Sequence, residues 1–309
     1  MADSPLIFDR NLLRRRRARA AALGPATFLL DRVAADFADR LAAVLRRFER
    51  AADLGTPSDV VRRVLADSGK VATVIAVDVS VARSPPRLGS TTAETAGSIA
   101  VAADEELLPF PEASLDLVVS ALALQFVNDL PGTLIQIRRA LKPDGLLLAA
   151  LVGGDTLTEL RQAFAAAEAE IEGGVSPRVA PFIDVREAGA LLQRAGFALP
   201  VTDVEKLTVR YASPIPLMHD LRRMGAANAL VERRRRPLKR ATLARMAEIY
   251  RERFADPDGR VRATFEIIWL SGWAPHASQQ QPLKPGSART RLADALGTKE
   301  MPAGEKAGR

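Results

Sequence analysis

Cysteine is absent from the 309 residues, and histidine occurs only twice, at His219 and His276. The absence of cysteine excludes disulfides, cysteine-ligated zinc, iron–sulfur clusters and a thiol nucleophile. An iron site of the two-histidine-one-carboxylate type would need both histidines, which lie in different segments, so we predict no metal site. Aromatic residues make up 5% of the chain, which disfavours a base-stacking platform for nucleic acid.

Long hydrophobic runs are also missing. The most apolar stretch, GLLLAALVGG at 145–154, is about half as long as a membrane helix and is typical of a buried strand. The arginine-rich start is similar to a targeting signal, but Asp31 and Asp36 interrupt the apolar core that such a signal needs. We therefore expect the mature chain to start at or near Met1 and to stay in the cytoplasm.

The net charge of +7 comes largely from two arginine clusters, RNLLRRRRAR at 10–19 and RRRRPLKR at 233–240. Such clusters bind nucleic acid, anionic lipid or an acidic protein surface, or simply form a solvated helix face. No RNA-binding strand, zinc finger or zipper accompanies them. We therefore expect a protein client, or peripheral contact with an anionic membrane, and no nucleic acid.

Strand-like and helix-like segments alternate between residues 49 and 152. The predicted strands are RAADLG, VATVIAVDVS, SIAVAAD, LDLVVSALAL and LLLAALVG, and the predicted helices are DVVRRVLADSG and PGTLIQIRRALKPDG. Gly69 closes the first helix, and Pro143 with Gly145 closes the second. This alternation predicts a parallel sheet covered on both faces, with a ligand beyond the carboxyl ends of its strands.

The chain divides into three predicted parts. Residues 1–48 contain the basic segment and an amphipathic helix whose apolar residues recur from Phe28 to Phe48. Residues 49–277 form the main domain, with later helices at 156–171 and 184–195, later strands LTVRYAS and ATFEIIWLSGW, and a basic helical insertion at about 216–254 between those two strands. The polar tail at 278–309 is rich in Pro, Gly and Lys, and we expect it to be disordered.

Three acids, Asp53, Asp78 and Asp104, follow successive predicted strands. An acid at Asp78, roughly twenty residues beyond the first loop, is placed to accept hydrogen bonds from ribose hydroxyls. An acid at Asp104 is placed to accept one from an adenine amino group. Any single acid at a strand end is also a common turn residue, but three in one register favour a nucleotide-type cofactor.

Several sequence blocks resemble the S-adenosylmethionine-dependent methyltransferases of the Rossmann-like class. They are ADLG, AVDVS, AADEELLPFPEASLDLVVSALALQFVNDLPG and RRALKPDGLLLAAL. The chain resembles most closely the methyltransferase-like assembly factors of respiratory complex I, through IFDRNLLRRRRARAA, GGDTLTELR, EGGVSPRVAPF, YASPIPLMHDLRRMGAAN and GWAPHASQQQPLKPGSA. It is more distantly similar to the methyltransferase of biotin synthesis that esterifies malonyl-acyl carrier protein.

The resemblance implies a mostly parallel seven-stranded sheet with helices on both faces and S-adenosylmethionine as cofactor. It assigns Asp53 and Gly55 to the methionine end, Asp78 to the ribose, Asp104 and Glu105 to the adenine, and the segment from Ser120 to Leu122 to the space beneath the sulfonium. It also implies a protein client, a complex I subunit, modified by methylation or by hydroxylation of an arginine.

Catalytic residues do not carry over from the resemblance. Asp155, Arg161, Tyr211 and His219 are the candidates for the substrate side. Their structural alternatives are a helix N-terminal acid, a surface ion pair, a packed aromatic and a satisfied polar residue.

The loop after the first strand departs from the family's pattern Asp-Leu-Gly-Cys-Gly-x-Gly. Thr56 replaces the cysteine, and Pro57 and Asp59 replace the second and third glycines. Proline fixes φ and lacks an N–H donor, and Asp59 would repel a cofactor carboxylate at the helix N-terminus. The segment is well formed as a helix start, with Ser58 or Asp59 as the cap.

Three functions therefore stay open. The first is an enzyme that uses S-adenosylmethionine, either in complex I assembly or as a carboxyl methyltransferase of the biotin-synthesis type. The second is a non-catalytic assembly or binding protein on a methyltransferase fold. The third, a nucleic-acid methyltransferase, comes last because the chain lacks an Asn-Pro-Pro-Tyr motif and a catalytic cysteine.

Overall fold

The computed structural model describes residues 6–79, 98–280, 287 and 290–299, and it divides into two units, Met1–Pro275 and His276–Arg309. The helices of the first unit are α1 (Arg10–Ala22), α2 (Phe28–Ala43), α3 (Val60–Asp67), α4 (Leu130–Ala140), α5 (Thr158–Glu172), α6 (Val185–Arg194), α7 (Pro214–Arg223) and α8 (Arg240–Phe254). Its strands are β1 (Phe48–Leu54), β2 (Val71–Val77), β3 (Ser98–Val101), β4 (Leu115–Ala121), β5 (Leu141–Val152), β6 (Ala198–Tyr211) and β7 (Val261–Trp273).

The strands form one seven-stranded sheet in the order β3-β2-β1-β4-β5-β7-β6. The first five strands of this order are parallel, whereas β7 is antiparallel to both β5 and β6. This arrangement confirms the predicted mostly parallel, Rossmann-like sheet. The chain moves outward from β1 to β3 and then returns to the other side of β1 with β4, so the strand order switches between β1 and β4, where such sheets bind their ligands.

Two hydrophobic cores cover the two faces of the sheet. Successive residues of a strand point to opposite faces, and accordingly Leu117 and Val119 belong to one core while Val118 belongs to the other. Helices α2, α3, α5, α7 and α8 contribute to the first core, and α4 and α6 to the second. All seven residues of β4 are buried, as expected for a central parallel strand.

Two predicted helix ends are wrong. Helix α2 ends at Ala43 and does not continue to Phe48, because Phe48 begins β1 and pairs with Val71. Helix α4 ends at Ala140, before the predicted Pro143 and Gly145, because Leu141 already pairs with β4. In both cases strand pairing stops the helix earlier than the local sequence signals do.

The basic regions are more structured than their composition indicates. The first arginine cluster forms helix α1, with the Asp9 side chain accepting a hydrogen bond from the Leu12 N–H at 2.9 Å. The predicted insertion contains the two helices α7 and α8, which are joined by residues 224–239. Within the described residues, none of the helices combines the length and the apolar character needed to cross a membrane.

The second unit contains the short helix α9 (Leu292–Leu296). Much of the tail predicted to be disordered, residues 281–286, 288–289 and 300–309, lies outside the described residues, as does Ser80 at the end of the predicted second strand.

Candidate functional site

A cavity of about 1240 Å³ opens at the carboxyl ends of β1, β2 and β4. Its sheet side is lined by Pro57, Ser58, Asp78, Val79, Glu105 and Leu122, and its other walls come from α1, α2, α5 and α7 with residues that follow them. Ligand pockets commonly measure about 300–1,000 Å³. The cavity is therefore large enough for more than one small ligand.

Asp53 lies beneath the loop that follows β1 and does not line the cavity. The side chain is 1% exposed, and it accepts a hydrogen bond from Thr56 Oγ1 and one from Arg62 Nη1 at 3.2 Å. Burial raises its pKa to about 6, against the opposing effects of Thr56 and Arg62. Thr56 Oγ1 also accepts the Ala121 N–H at 3.1 Å, so the threonine in place of cysteine ties the loop to β4.

Ser120 lies behind the site as well. It is fully buried, and its hydroxyl donates to the Leu54 carbonyl at 2.7 Å. The hydroxyl thus joins β4 to β1 at the switch in strand order.

Gly55 has a φ of +67°, which favours glycine. A Cβ at this position would overlap the carboxyl group of Glu105. The glycine therefore permits both the turn and the close approach of Glu105. Helix α3 begins at Val60 with Asp59 in the N-cap position, but the Asp59 side chain makes no capping hydrogen bond. Ser58 Oγ, one residue earlier, accepts from the Val60 N–H at 3.2 Å.

Asp78 follows β2 directly and lines the cavity. Its backbone N–H donates to the Val101 carbonyl of β3 at 3.2 Å. The carboxyl ends of β2 and β3 are thus held together, and Asp78 stands at the position predicted for a ribose ligand.

Asp104 and Glu105 are paired with arginines of α1. Arg10 Nη2 lies 2.6 Å from Asp104 Oδ1 and also contacts Glu105, Arg14 contacts Asp104, and Arg17 Nη1 lies 3.4 Å from Glu105 Oε1. Burial opposes the ionisation of Asp104, but hydrogen bonding and the charges of Arg10 and Arg14 outweigh it and lower the pKa. Asp104 is therefore ionised, and both acids assigned to adenine are paired with guanidinium groups. Glu105 lines the cavity, whereas Asp104 is not among the described residues that do.

Sequence reasoning missed these arginines as parts of the site. Arg10, Arg14 and Arg17 are spaced by four and three residues, which places them on one face of a helix. The spacing indicates that the three arginines share one face of α1. Nothing in the local sequence indicates that this face contacts acidic residues about ninety residues away.

Leu122 directly follows β4 at the cavity and has a φ of +52°, a strained conformation for a residue other than glycine. Its N–H donates to the Ala150 carbonyl and its carbonyl accepts from Gln125 Nε2, both at 2.8 Å. Such strain persists only where the surroundings enforce it. The backbone here turns Gln125 and Phe126 toward the cavity, which both line.

The substrate-side candidates are not brought together, and none of the four is among the described residues that line the cavity. Asp155 is exposed and lies 2.5 Å from Lys206 Nζ. Arg161 Nη2 donates to the carbonyls of Gly154 and Ala180 at 3.3 Å each.

Tyr211 and His219 lie near α7. The buried Tyr211 hydroxyl donates to Asp220 at 3.2 Å, and burial together with the Asp220 charge raises its pKa. His219 is exposed on α7. Within the described part of the chain, no group of three or more His, Asp and Glu side chains is arranged to hold a metal ion.

The second arginine cluster is partly structural. Arg233 Nη2 lies 3.1 Å from Asp9 Oδ2, and Arg234 Nη2 lies 2.8 Å from Glu172 Oε2. Arg235 and Arg236 are exposed. Only part of the cluster is therefore presented to solvent.

Comparison with known proteins identifies relatives over nearly the whole chain. Residues 52–149 match the family model of a methyltransferase domain. The human mitochondrial arginine-hydroxylase NDUFAF5 is 39% identical over 305 residues, which cover 97% of this chain and 86% of the human protein. The malonyl-[acyl-carrier protein] O-methyltransferase of Halorhodospira halophila is 36% identical over 288 residues, covering 91% and 93% of the two chains.

The solved structures agree on the fold. The candidate methyltransferase BH2331 from Bacillus halodurans C-125 superposes with a TM-score of 0.52 at 18% identity, covering 78% of this chain and 98% of its own. At that identity the likeness is one of architecture: the seven-stranded sheet and its helices.

Proposed function

Because the chain belongs to the methyltransferase-like family that contains the NDUFAF5 arginine hydroxylases and the malonyl-[acyl-carrier protein] O-methyltransferases, we propose that it binds S-adenosylmethionine and acts on a protein client in the assembly of respiratory complex I. The observation that carries the proposal is the extent of the similarity, which covers 97% of the chain. The similarity therefore includes α1, α5 and α7, which build the cavity walls, as well as the sheet common to many methyltransferases.

The residues around the cavity fit this cofactor. Asp78 supplies a carboxylate at the carboxyl end of β2, one strand from the switch point, and Leu122 and Phe126 supply apolar surface. Arg17 Nη2 and Gln125 Oε1 are buried and meet no hydrogen-bond partner among the described residues, so the wall offers a donor and an acceptor to a polar ligand. When bound, S-adenosylmethionine supplies an electrophilic methyl group.

Arginine pairing is compatible with recognition of adenine by Asp104. An ionised carboxylate has about four acceptor positions on its two oxygens. Arg10 and the Glu106 N–H donate to Oδ1, and Arg14 donates to Oδ2. Because the Glu106 N–H and the two arginines keep Asp104 ionised, it remains an acceptor for an amino group that reaches it from the cavity lined by the neighbouring Glu105. The chain's own contribution to methyl transfer is then to hold the two reactants together in one cavity, since positioning is the main requirement of such a reaction.

The experiment is mass spectrometry of the complex I subunits from cells that carry or lack this protein. A peptide that gains one methylene group only when the protein is present supports methyl transfer, and a gain of one oxygen on an arginine supports hydroxylation. Co-purification with a subunit that stays unmodified supports a non-catalytic assembly role. The absence of both a mass change and co-purification would overturn the proposal.

A second candidate function, carboxyl methyl transfer, is favoured by the charge of the cavity wall. Among the described residues, eight arginines but only two acids, Asp78 and Glu105, line the cavity; the arginines are Arg10, Arg14, Arg15, Arg16, Arg17, Arg178, Arg222 and Arg223. A wall of this charge attracts a carboxylate and repels a guanidinium group. Formation of a base-labile methyl ester on malonyl-acyl carrier protein tests this candidate directly.

A further inference from the structure

The loop after β1 is poorly equipped to hold the amino-acid end of S-adenosylmethionine, which carries a carboxylate and an ammonium group. Pro57, at the cavity wall, has no N–H donor. The carboxylate of Asp59 lies 3.3 Å from Arg63. The Asp59 side chain therefore pairs with a residue of its own helix and offers no cation to the cofactor. A cation for the cofactor's carboxylate must therefore come from another element.

Arg17 of α1 is placed to supply that cation. Its Nη1 lies 3.4 Å from Glu105 Oε1, and the same oxygen is the atom that a Cβ on Gly55 would strike. Arg17 therefore reaches the end of β1, where the resemblance puts the methionine end of the cofactor. Since Arg17 also lines the cavity, it faces the space in which that end would lie.

The guanidinium group of Arg17 is held in place but is not fully paired. Its carbon lies 5.6 Å from the centre of the Phe126 ring, and its backbone packs so closely on Gly225 that a Cβ there would come within 3.1 Å of Arg17 Cα. The side chain is 22% exposed. Burial lowers its pKa, against the opposing charge of Glu105, and Nη2 has no hydrogen-bond partner within the described residues.

Gln125 supplies the matching acceptor. It follows β4 and is 9% exposed, its Nε2 donates to the Leu122 carbonyl, and its Oε1 meets no donor among the described residues. A buried guanidinium nitrogen and a buried amide oxygen that each lack a hydrogen-bond partner both cost free energy. A ligand that carries a carboxylate beside an ammonium group would offer a partner to each.

We propose that Arg17 binds the carboxylate and Gln125 the ammonium group at the amino-acid end of S-adenosylmethionine, in place of the backbone N–H groups of a glycine-rich loop. This inference rests on the proposed function, because it concerns the same cofactor. It assigns the amino-acid end to α1 and to the turn after β4, and it leaves the nucleoside end to Asp78.

The test compares two ligands that share the nucleoside and differ at the amino-acid end. S-adenosylhomocysteine has this end and 5′-methylthioadenosine lacks it. Calorimetric titration of the full chain is made with both ligands on the wild type and on Arg17→Met and Gln125→Met. The control is Arg14→Met, which removes an arginine of the same helix that pairs with Asp104.

A hydrogen bond to a charged group contributes enough that Arg17→Met should weaken S-adenosylhomocysteine about tenfold or more, and Gln125→Met about fivefold. Both variants should bind 5′-methylthioadenosine as the wild type does, and Arg14→Met should change the affinities for the two ligands by the same factor. Arg17→Lys, which keeps the charge, should recover part of the lost affinity.

Equal losses for both ligands in Arg17→Met, or no loss for either, would overturn the inference and leave the proposed function standing. If the wild type binds neither ligand, the proposed cofactor itself is wrong and the inference falls with it. Thermal unfolding of each variant identifies any loss of affinity that comes from a loss of folding.

Discussion

The buried carboxyl group of Asp53 should make the stability of the protein depend on pH in an unusual direction. Its pKa is raised from 3.8 to about 6 by burial. Between these two values the folded protein holds a proton that the unfolded chain has released. The free energy of unfolding therefore falls as the pH rises from about 4 to 6, which is the reverse of the usual behaviour of a carboxyl group in an ion pair.

The magnitude follows from the shift. A shift of about two pKa units, at about 1.4 kcal/mol per unit, corresponds to ~3 kcal/mol. Asp53→Asn keeps an acceptor for the Thr56 hydroxyl and removes the titrating group. We therefore expect the stability of Asp53→Asn relative to the wild type to increase by ~3 kcal/mol between about pH 4 and pH 7.

Urea denaturation of both proteins at several pH values measures this difference. Asp155→Asn is the matched control, because Lys206 lowers the pKa of the exposed Asp155. That ion pair stabilises the protein above the unfolded pKa and is lost as the pH falls through the lower folded pKa. The control difference should therefore stay nearly constant between about pH 4 and pH 7 and change, in the opposite direction, only below about pH 4. A stability difference for Asp53→Asn that stays constant over the pH range would refute the buried, proton-binding state of Asp53.

Two further substitutions test the packing around the site and the role of the second arginine cluster. In urea denaturation, Gly55→Ala should lower the free energy of unfolding by about 2 kcal/mol more than Gly259→Ala. Both positions have positive φ, but only Gly55 has a carboxyl group, that of Glu105, against its Cα. Equal losses of stability would mean that the Glu105 carboxyl group moves freely. Arg234→Ala should lower the denaturation midpoint because it removes a partner of Glu172. Arg235→Ala, at an exposed position, should leave the midpoint unchanged. Equal midpoints for the two variants would mean that Arg234 does not stabilise the fold.

The sheet was predictable from the sequence because its signals are local. The apolar segment that became β4 is buried along its whole length, and its apolar, β-branched content is visible without the structure. The turn at Gly55 and the placement of Asp78 directly after β2 follow from the same alternation of strands and helices. These features depend on neighbours in the chain, which a sequence displays.

The site was less predictable because its chemistry depends on contacts between distant residues. Asp53 was assigned to the cofactor, yet the hydroxyl of Thr56 draws it beneath the loop. The arginines of α1 were interpreted as a surface cluster, yet Arg10 neutralises Asp104 and Glu105. The Asp53–Thr56 contact is local, but the burial that directs it away from the cavity depends on packing against β4. The Arg10 pairing has no local signal, since it depends on which faces of distant elements meet. The cytoplasmic location and the assignment of residues to parts of the cofactor stay predictions.

The most direct measurement is a calorimetric titration of the full chain with S-adenosylmethionine, made in parallel on Asp78→Ala and on the double variant Pro57→Gly/Asp59→Gly. We expect saturable binding by the wild type, no detectable binding by Asp78→Ala, and little change in the loop variant, because α1 and the turn after β4 take over the role of the glycines. Binding by the loop variant alone would mean that the loop has disabled the pocket, and the protein would then act through the surfaces that hold its partner. No binding by any of the three would exclude S-adenosylmethionine as the cofactor.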